Sequence, residues 1–263
     1  MPIPDRLNPT FAIAGAPAAV RAEAIDEARN RLIVALDVPS AAAALDLVNQ
    51  LERSCRWFKV GMELFTAAGP AVLEPLAARG HSVFLDLKFH DIPNTVAGAV
   101  RSAAALGVRM MTVHALGGPA MLAAARTALG VLAEPPLVLA VTVLTSMDRA
   151  ELRAAGVERS PAEESELLAR MGLEAGIRGF VCSPKEVAGL RALTGPEGVL
   201  VVPGIRPAGG ENGDQKRVTT PAEALRAGAN YLVVGRPITQ AHDPAEAAEA
   251  ILNEMAAALD REP

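Results

Sequence analysis

The chain has 263 residues, of which 51% are hydrophobic but only 3% aromatic, and it carries a formal net charge of −5. That composition supports a large aliphatic core, excludes global disorder, and suits one large domain or two small ones. With no basic stripe it also excludes a nucleic-acid surface, while leaving room for a local basic pocket. Cys55 and Cys182 are the only cysteines; they make neither a disulfide framework nor a zinc site and read as reduced, buried fillers of a cytosolic protein. No apolar run reaches the roughly 18 residues of a membrane span. The stretch from Phe11 to Val20 is short and broken by glycine and proline, which argues against a signal peptide.

Residues 1–30 open with Pro2, Pro4, Pro9 and Gly15, followed by a charged, helix-permissive stretch from Ala18 to Asn30. They read as an N-terminal extension outside the core, with residues 31–263 as one catalytic domain. A regular alternation then begins. Arg31 to Asp37 is a buried-strand pattern ending in an acid, and Ser40 is a good N-cap for an alanine-rich helix running to about Glu52. A second strand from Trp57 to Gly61 carries Lys59 near its end, and a helix toward Arg79 is interrupted at Gly69-Pro70. Ser82 to Phe89 is the third strand, followed by a helix from Asn94 to Leu106. Arg109 to His114 and Leu137 to Leu144 are the fourth and fifth strands, each with a following helix, at Pro119–Leu129 and Ala162–Gly176. The sixth, seventh and eighth strands are Gly179–Ser183, Val199–Gly204 and Tyr231–Gly235. A closing helix runs from Pro244 to Leu259.

Eight apolar strands alternating with helices mean a parallel sheet. Eight repeats in this length predict a closed (β/α)₈ TIM barrel in preference to an open doubly wound sheet. No G-x-G-x-x-G or G-x-x-x-x-G-K-[ST] motif follows the first strand, which removes the main nucleotide-cofactor readings. No set of His, Asp and Glu has convincing metal-ligand spacing, so nothing in the sequence requires a metal.

In such barrels the active site lies at the C-terminal ends of the strands. Those positions here hold Asp37, Lys59, Asp86, Lys88, His114, Thr145, Ser183, Arg206 and Arg236, above apolar strand bodies. Asp86 and Lys88 share a strand face by their i, i+2 spacing. Asp91 follows just before Pro93, which ends any regular ladder. A lysine between two carboxylates stays protonated, and such a lysine is a poor nucleophile but a good proton donor to a basic carbon. The segments Pro203-Gly204-Ile205-Arg206-Pro207 and Gly235-Arg236-Pro237 follow strands seven and eight, the usual place of a phosphate grip in this fold. Glycine there lets backbone N–H groups approach oxygens, and arginine adds charged, directional donors. The polar, glycine-rich stretch 208–217 between them has the character of a lid, from which Gln215 could close onto the phosphate. His90 reads as structural or near an interface; His114 is read equally as lining the site or as a satisfied core histidine.

Taken together, Ala35-Leu36-Asp37, Phe58-Lys59-Val60-Gly61, the run from Asp86 to Thr95, Val143 to Ser146, Pro203 to Pro207, Gly213-Asp214-Gln215 and Gly235 to Thr239 resemble the orotidine 5′-monophosphate decarboxylase family in its bacterial form. The resemblance covers about residues 31 to 240, and the run Asp86–Thr95 is its most specific part. It implies decarboxylation of orotidine 5′-monophosphate to UMP without metal or organic cofactor, in a homodimer. It implies Lys88 as proton donor beside Asp86, with Asp91 reaching the partner's site across the dimer and Thr95 near it. It further implies Lys59 as a catalytic lysine linking the ribose hydroxyls to the Asp-Lys-Asp network, Asp37 at the ribose, Thr145 near the pyrimidine, and Arg206, Gln215, Gly235 and Arg236 at the phosphate. One rival is a metal-dependent sugar-phosphate enzyme sharing Asp-x-Lys-x-x-Asp, but that group has an acid where this chain has Lys59. The other is a non-catalytic phosphate-ligand binder, which needs no buried Asp-Lys-Asp set.

Overall fold

A computed structural model describes residues 18–130, 132–207 and 219–260. The apolar runs become eight strands that close on themselves in sequence order, each parallel to its neighbours. The first half holds α1 (Ala18–Arg31), β1 (Leu32–Ala35), α2 (Ala41–Leu51), β2 (Trp57–Gly61), α3 (Met62–Ala68), α4 (Leu73–Ala78), β3 (Ser82–Phe89), α5 (Pro93–Ala105), β4 (Met110–His114) and α6 (Gly118–Thr127). The second half holds β5 (Leu137–Val141), α7 (Arg149–Ala154), α8 (Pro161–Glu174), β6 (Gly179–Val181), α9 (Val187–Thr194), β7 (Val199–Val202), α10 (Pro221–Arg226), β8 (Tyr231–Val234), α11 (Arg236–Thr239) and α12 (Pro244–Leu259). The (β/α)₈ architecture expected from the alternation is therefore the one formed.

Local chemistry sets the helix starts. The Ser40 hydroxyl accepts from the Ala43 N–H at the head of α2. Ser160 with Glu163, and Thr220 with Glu223, form reciprocal capping boxes, each followed by proline at the first helical position. A third box, Asp148 with Glu151, starts α7, a helix absent from the elements expected above. Most strands end earlier than their apolar patterns do: β1 stops at Ala35 rather than Asp37, β5 at Val141 rather than Leu144, and β6 at Val181 rather than Ser183. The terminal polar residues have left the ladder and rim the mouth of the barrel.

Two apolar layers result. The larger fills the space between strands and helices. The smaller fills the barrel itself and comprises Ile33, Ala35, Phe84, Met110, Leu139, Val201 and Val233, with Trp57 and Tyr231 packed edge to face below at 5.5 Å between ring centroids. Residues 1–30 had been expected outside the core. The described part of that segment is α1, which packs against α12, and its Ala28 is fully buried in the larger layer. Asp26 and Asn30 of α1 also bind the Arg56 guanidinium just before β2. Both cysteines are buried and neither is in a disulfide, and burial pushes the Cys55 thiol up to about 12. No described helix is long and apolar enough to cross a membrane.

Candidate active site

Successive inward side chains of a barrel strand are two residues apart. Stepping two residues up from Ala35, Trp57, Phe84 and Met110 reaches Asp37, Lys59, Asp86 and Thr112. The apolar filling of the barrel thus ends in a floor, and a polar layer stands on it at the C-terminal ends of β1 to β4. Lys59 Nζ lies 2.9 Å from Asp37 Oδ1 and 3.6 Å from Asp86 Oδ2. Lys88 Nζ lies 2.9 Å from both oxygens of Asp86. Asp37, Lys59, Asp86 and Lys88 therefore form a continuous chain of alternating charge across three adjacent strands. Lys59 is buried, whereas Asp37 opens to solvent at the rim.

Asp86 is the shared element. Burial by itself pushes its carboxyl up. The ammoniums of Lys59 and Lys88, with hydrogen bonds from Lys88 and Thr112, outweigh that and hold it below the usual carboxylate value. Asp86 stays ionised and keeps two cations anchored in a half-enclosed site.

The strand is irregular where it matters. Pairing between β3 and β4 is interrupted between Leu85 and Phe89. Within that gap Lys88 has φ 51°, the one positive value among the described non-glycine residues. L-residues other than Asn and Asp rarely enter this region, and they do so where surrounding structure holds them. The Lys88 N–H donates to the Thr112 hydroxyl at 2.8 Å, and that hydroxyl donates to Asp86 Oδ1 at 3.0 Å. Thr112 is fully buried and was missed in the sequence, where only the last residue of β4, His114, was singled out. The period of two counted from Met110 would have found it.

Gly61 is the next inward position of β2. A Cβ there would lie 2.8 Å from Lys59 Nζ and 3.0 Å from Asp37 Oδ1. The position is empty of side chain because the ion pair occupies it. Closure of the barrel through the β1–β8 pairing brings the other end of the sheet to the same place. A Cβ on Gly235 would stand 3.6 Å from the Ala35 methyl and 4.0 Å from Asp37 Oδ2. Beyond β7, Gly204 has φ 78°, and Ile205 pairs with Thr219 as an isolated bridge, with the Arg206 N–H donating to the Thr219 carbonyl at 2.9 Å. Burial, and the like charge of Arg236, both lower the Arg206 pKa. Gln215 and the stretch expected to act as a lid lie outside the described residues.

The other residues singled out near the strand ends stand apart from the Asp37–Lys59–Asp86–Lys88 chain within one protomer. Ser183 is fully buried, and its hydroxyl caps the turn at Pro184 by accepting from the Lys185 N–H. Thr145 lies four residues past the end of β5 and is half-buried. His114 accepts from the Leu116 N–H at 3.3 Å and stacks on His90 at 5.5 Å, so it organises the β4 turn. Asp91 and Thr95 are exposed, and Asp91 accepts from the neighbouring Ile92 N–H at 2.6 Å. Within one chain the second charged neighbour of Asp86 is therefore Lys59, and Lys88 is paired with Asp86 and not with Asp91. Among the described residues, no group of three His, Cys, Asp or Glu could hold a metal ion.

A closed parallel barrel with a lysine-and-aspartate chain at its C-terminal mouth defines an enzyme of the (β/α)₈ class. The model of the orotidine 5′-phosphate decarboxylase / HUMPS family matches residues 30–251, and the chain belongs to that family. Orotidine 5′-phosphate decarboxylase of Moorella thermoacetica is 55% identical over 234 residues, covering 87% of this chain and 93% of the relative. The enzyme of the same name from Halorhodospira halophila is 56% identical, covering 87% and 97%. Among solved structures, orotidine 5′-phosphate decarboxylase from Lactobacillus acidophilus superimposes with a TM-score of 0.75 at 40% identity, covering 86% of this chain and 98% of that one.

Proposed function

We infer that this chain decarboxylates orotidine 5′-monophosphate to UMP and CO₂ in pyrimidine biosynthesis, with Lys88 as the acid that delivers a proton to C6. The observation that carries the mechanism is the continuous chain Asp37–Lys59–Asp86–Lys88 at the barrel mouth. Loss of CO₂ breaks the C6–carboxylate bond and leaves its electron pair on C6, in the ring plane, without an ordinary electron sink. An ammonium held next to C6 stabilises that charge as it forms and then transfers a proton to it. Asp86 keeps Lys88 charged and aimed, and solvent reprotonates the amine after each turnover.

The remaining residues divide by distance from that carbon. Asp37 and Lys59 take the ribose hydroxyls, and Thr145 approaches the pyrimidine. Gly235, Arg236, Arg206 and Gln215 hold the phosphate, whose binding energy orients a ring that reacts elsewhere in the molecule. The enzyme works in the cytoplasm as a homodimer in which Asp91 and Thr95 enter the partner's site. In support, both are exposed, and so are the large apolar side chains Met62, Ile92 and Leu116 that follow the adjacent strands β2, β3 and β4. No metal or organic cofactor takes part.

The test is loss of orotidine 5′-monophosphate absorbance in excess EDTA, run on the parent and on Lys88→Ala. The parent converts substrate rapidly; the variant remains folded and binds UMP but does not turn over. Activity abolished by the chelator, or near-normal turnover without Lys88, overturns this mechanism.

A further inference from the structure

We propose that Thr112 is a positioning residue for the decarboxylation, its single hydroxyl fixing both the carboxylate that anchors the Lys88 ammonium and the backbone that carries it. The inference rests on the reading of Lys88 as proton donor. Thr112 stands in the middle of β4, one inward step above Met110, and is fully buried. Its hydroxyl has one proton and two lone pairs. The proton goes to Asp86 Oδ1 at 3.0 Å, and a lone pair takes the Lys88 N–H at 2.8 Å.

Each contact answers a specific need. Asp86 spends both oxygens on Lys88, and Oδ2 also faces Lys59 at 3.6 Å. Two cations thus pull on one carboxylate from different strands. A neutral donor from a third strand fixes its rotation without adding charge. The Lys88 N–H lies where the β3–β4 ladder is interrupted, in a backbone conformation uncommon for lysine. A regular strand would offer it a carbonyl; here the threonine hydroxyl takes that place. Removing the hydroxyl leaves a half-buried N–H without its partner and a carboxylate free to swing, so both the base of the lysine and the far end of its tether loosen. Valine or leucine would otherwise suit this buried strand position, so packing does not ask for a hydroxyl there.

The substitutions are Thr112→Val, which keeps shape without the hydroxyl, and Thr112→Ser, which keeps the hydroxyl. Thr112→Ala serves as a second hydroxyl-free variant should valine impair folding. Each is compared with Lys88→Ala for kcat, for KM and for UMP affinity by calorimetry. Loss of one hydrogen bond to a charged group predicts a kcat for Thr112→Val roughly ten- to hundredfold below the parent. UMP lacks the reacting carboxylate and is held at its ribose and phosphate, so its Kd stays within about twofold. Thr112→Ser recovers most of kcat. A merely structural role would weaken UMP binding in step with kcat and would show no rescue by serine, and either result overturns the inference. So does a hydroxyl-free variant with parental kcat while Lys88→Ala is inactive, which leaves the role of Lys88 standing. Full activity of Lys88→Ala overturns both.

Discussion

Gly61 offers a sharp test of how the ion pair at the mouth works. Its φ of −95° and ψ of −175° are ordinary extended values, so alanine meets no backbone strain there. The added Cβ would lie 2.8 Å from Lys59 Nζ and 3.0 Å from Asp37 Oδ1. Both atoms are ends of side chains, so they move and the barrel does not. The 2.9 Å contact between them is then displaced, and the upper bound of the effect is its complete loss. Hydrogen bonds to charged groups contribute about 1.5–3 kcal/mol. The Asp37 side chain is 55% exposed, and solvent screening brings the value to about 1–2 kcal/mol. At about 1.4 kcal/mol per tenfold, this is roughly a five- to thirtyfold loss of affinity. Gly61→Ala is therefore expected to raise KM by up to that factor while kcat changes less, because Lys88 remains paired with Asp86. Initial rates over a range of substrate concentration, with a thermal melt to show an intact barrel, measure this. A folded variant with parental KM would refute the assignment of the pair to substrate binding.

Two further outcomes follow from the same geometry. Burial, His90 and Lys88 together hold the His114 pKa down to about 4, against an ordinary 6.5. Between those values the unfolded chain takes up a proton that the folded chain refuses, so stability falls as pH drops through that window. Melting temperatures from pH 4 to 8 should show this slope in the parent and a shallower one in His114→Gln; equal slopes would rule the effect out. If Met62, Ile92 and Leu116 mark the face where two copies meet, Ile92→Glu should shift sedimentation toward monomer. It should also depress turnover, since Asp91 no longer reaches a partner's site; an undisturbed, fully active dimer would count against that face.

The barrel was legible because each buried parallel strand must be apolar along its whole length and each crossover must be a helix. The strand-end residues were legible for a related reason: a charge ending an apolar strand has only the mouth of the barrel in which to remain solvated. Where the reading went astray, it had taken regular geometry for granted. The i, i+2 spacing of Asp86 and Lys88 did predict their contact. The contact is made, however, through an interrupted ladder and a left-handed lysine, which no local pattern announces. A helix at Arg149–Ala154 was passed over although Asp148 and Glu151 stand at capping-box spacing.

What the chain by itself determined was the set of elements and the inventory of reactive groups, because hydrophobic period and capping chemistry act over a few residues. What only the tertiary structure decided was who partners whom. Lys59, 27 positions before Asp86 in sequence, was tied to the Asp-Lys-Asp network by resemblance alone, and the neighbouring strands bring it to 3.6 Å from the Asp86 carboxylate. Thr112 became a link between Asp86 and the Lys88 backbone, and Gly61 became the space in which Asp37 and Lys59 meet. These relations come from the register of neighbouring strands and the closure of the sheet, which set distances between residues far apart in the chain.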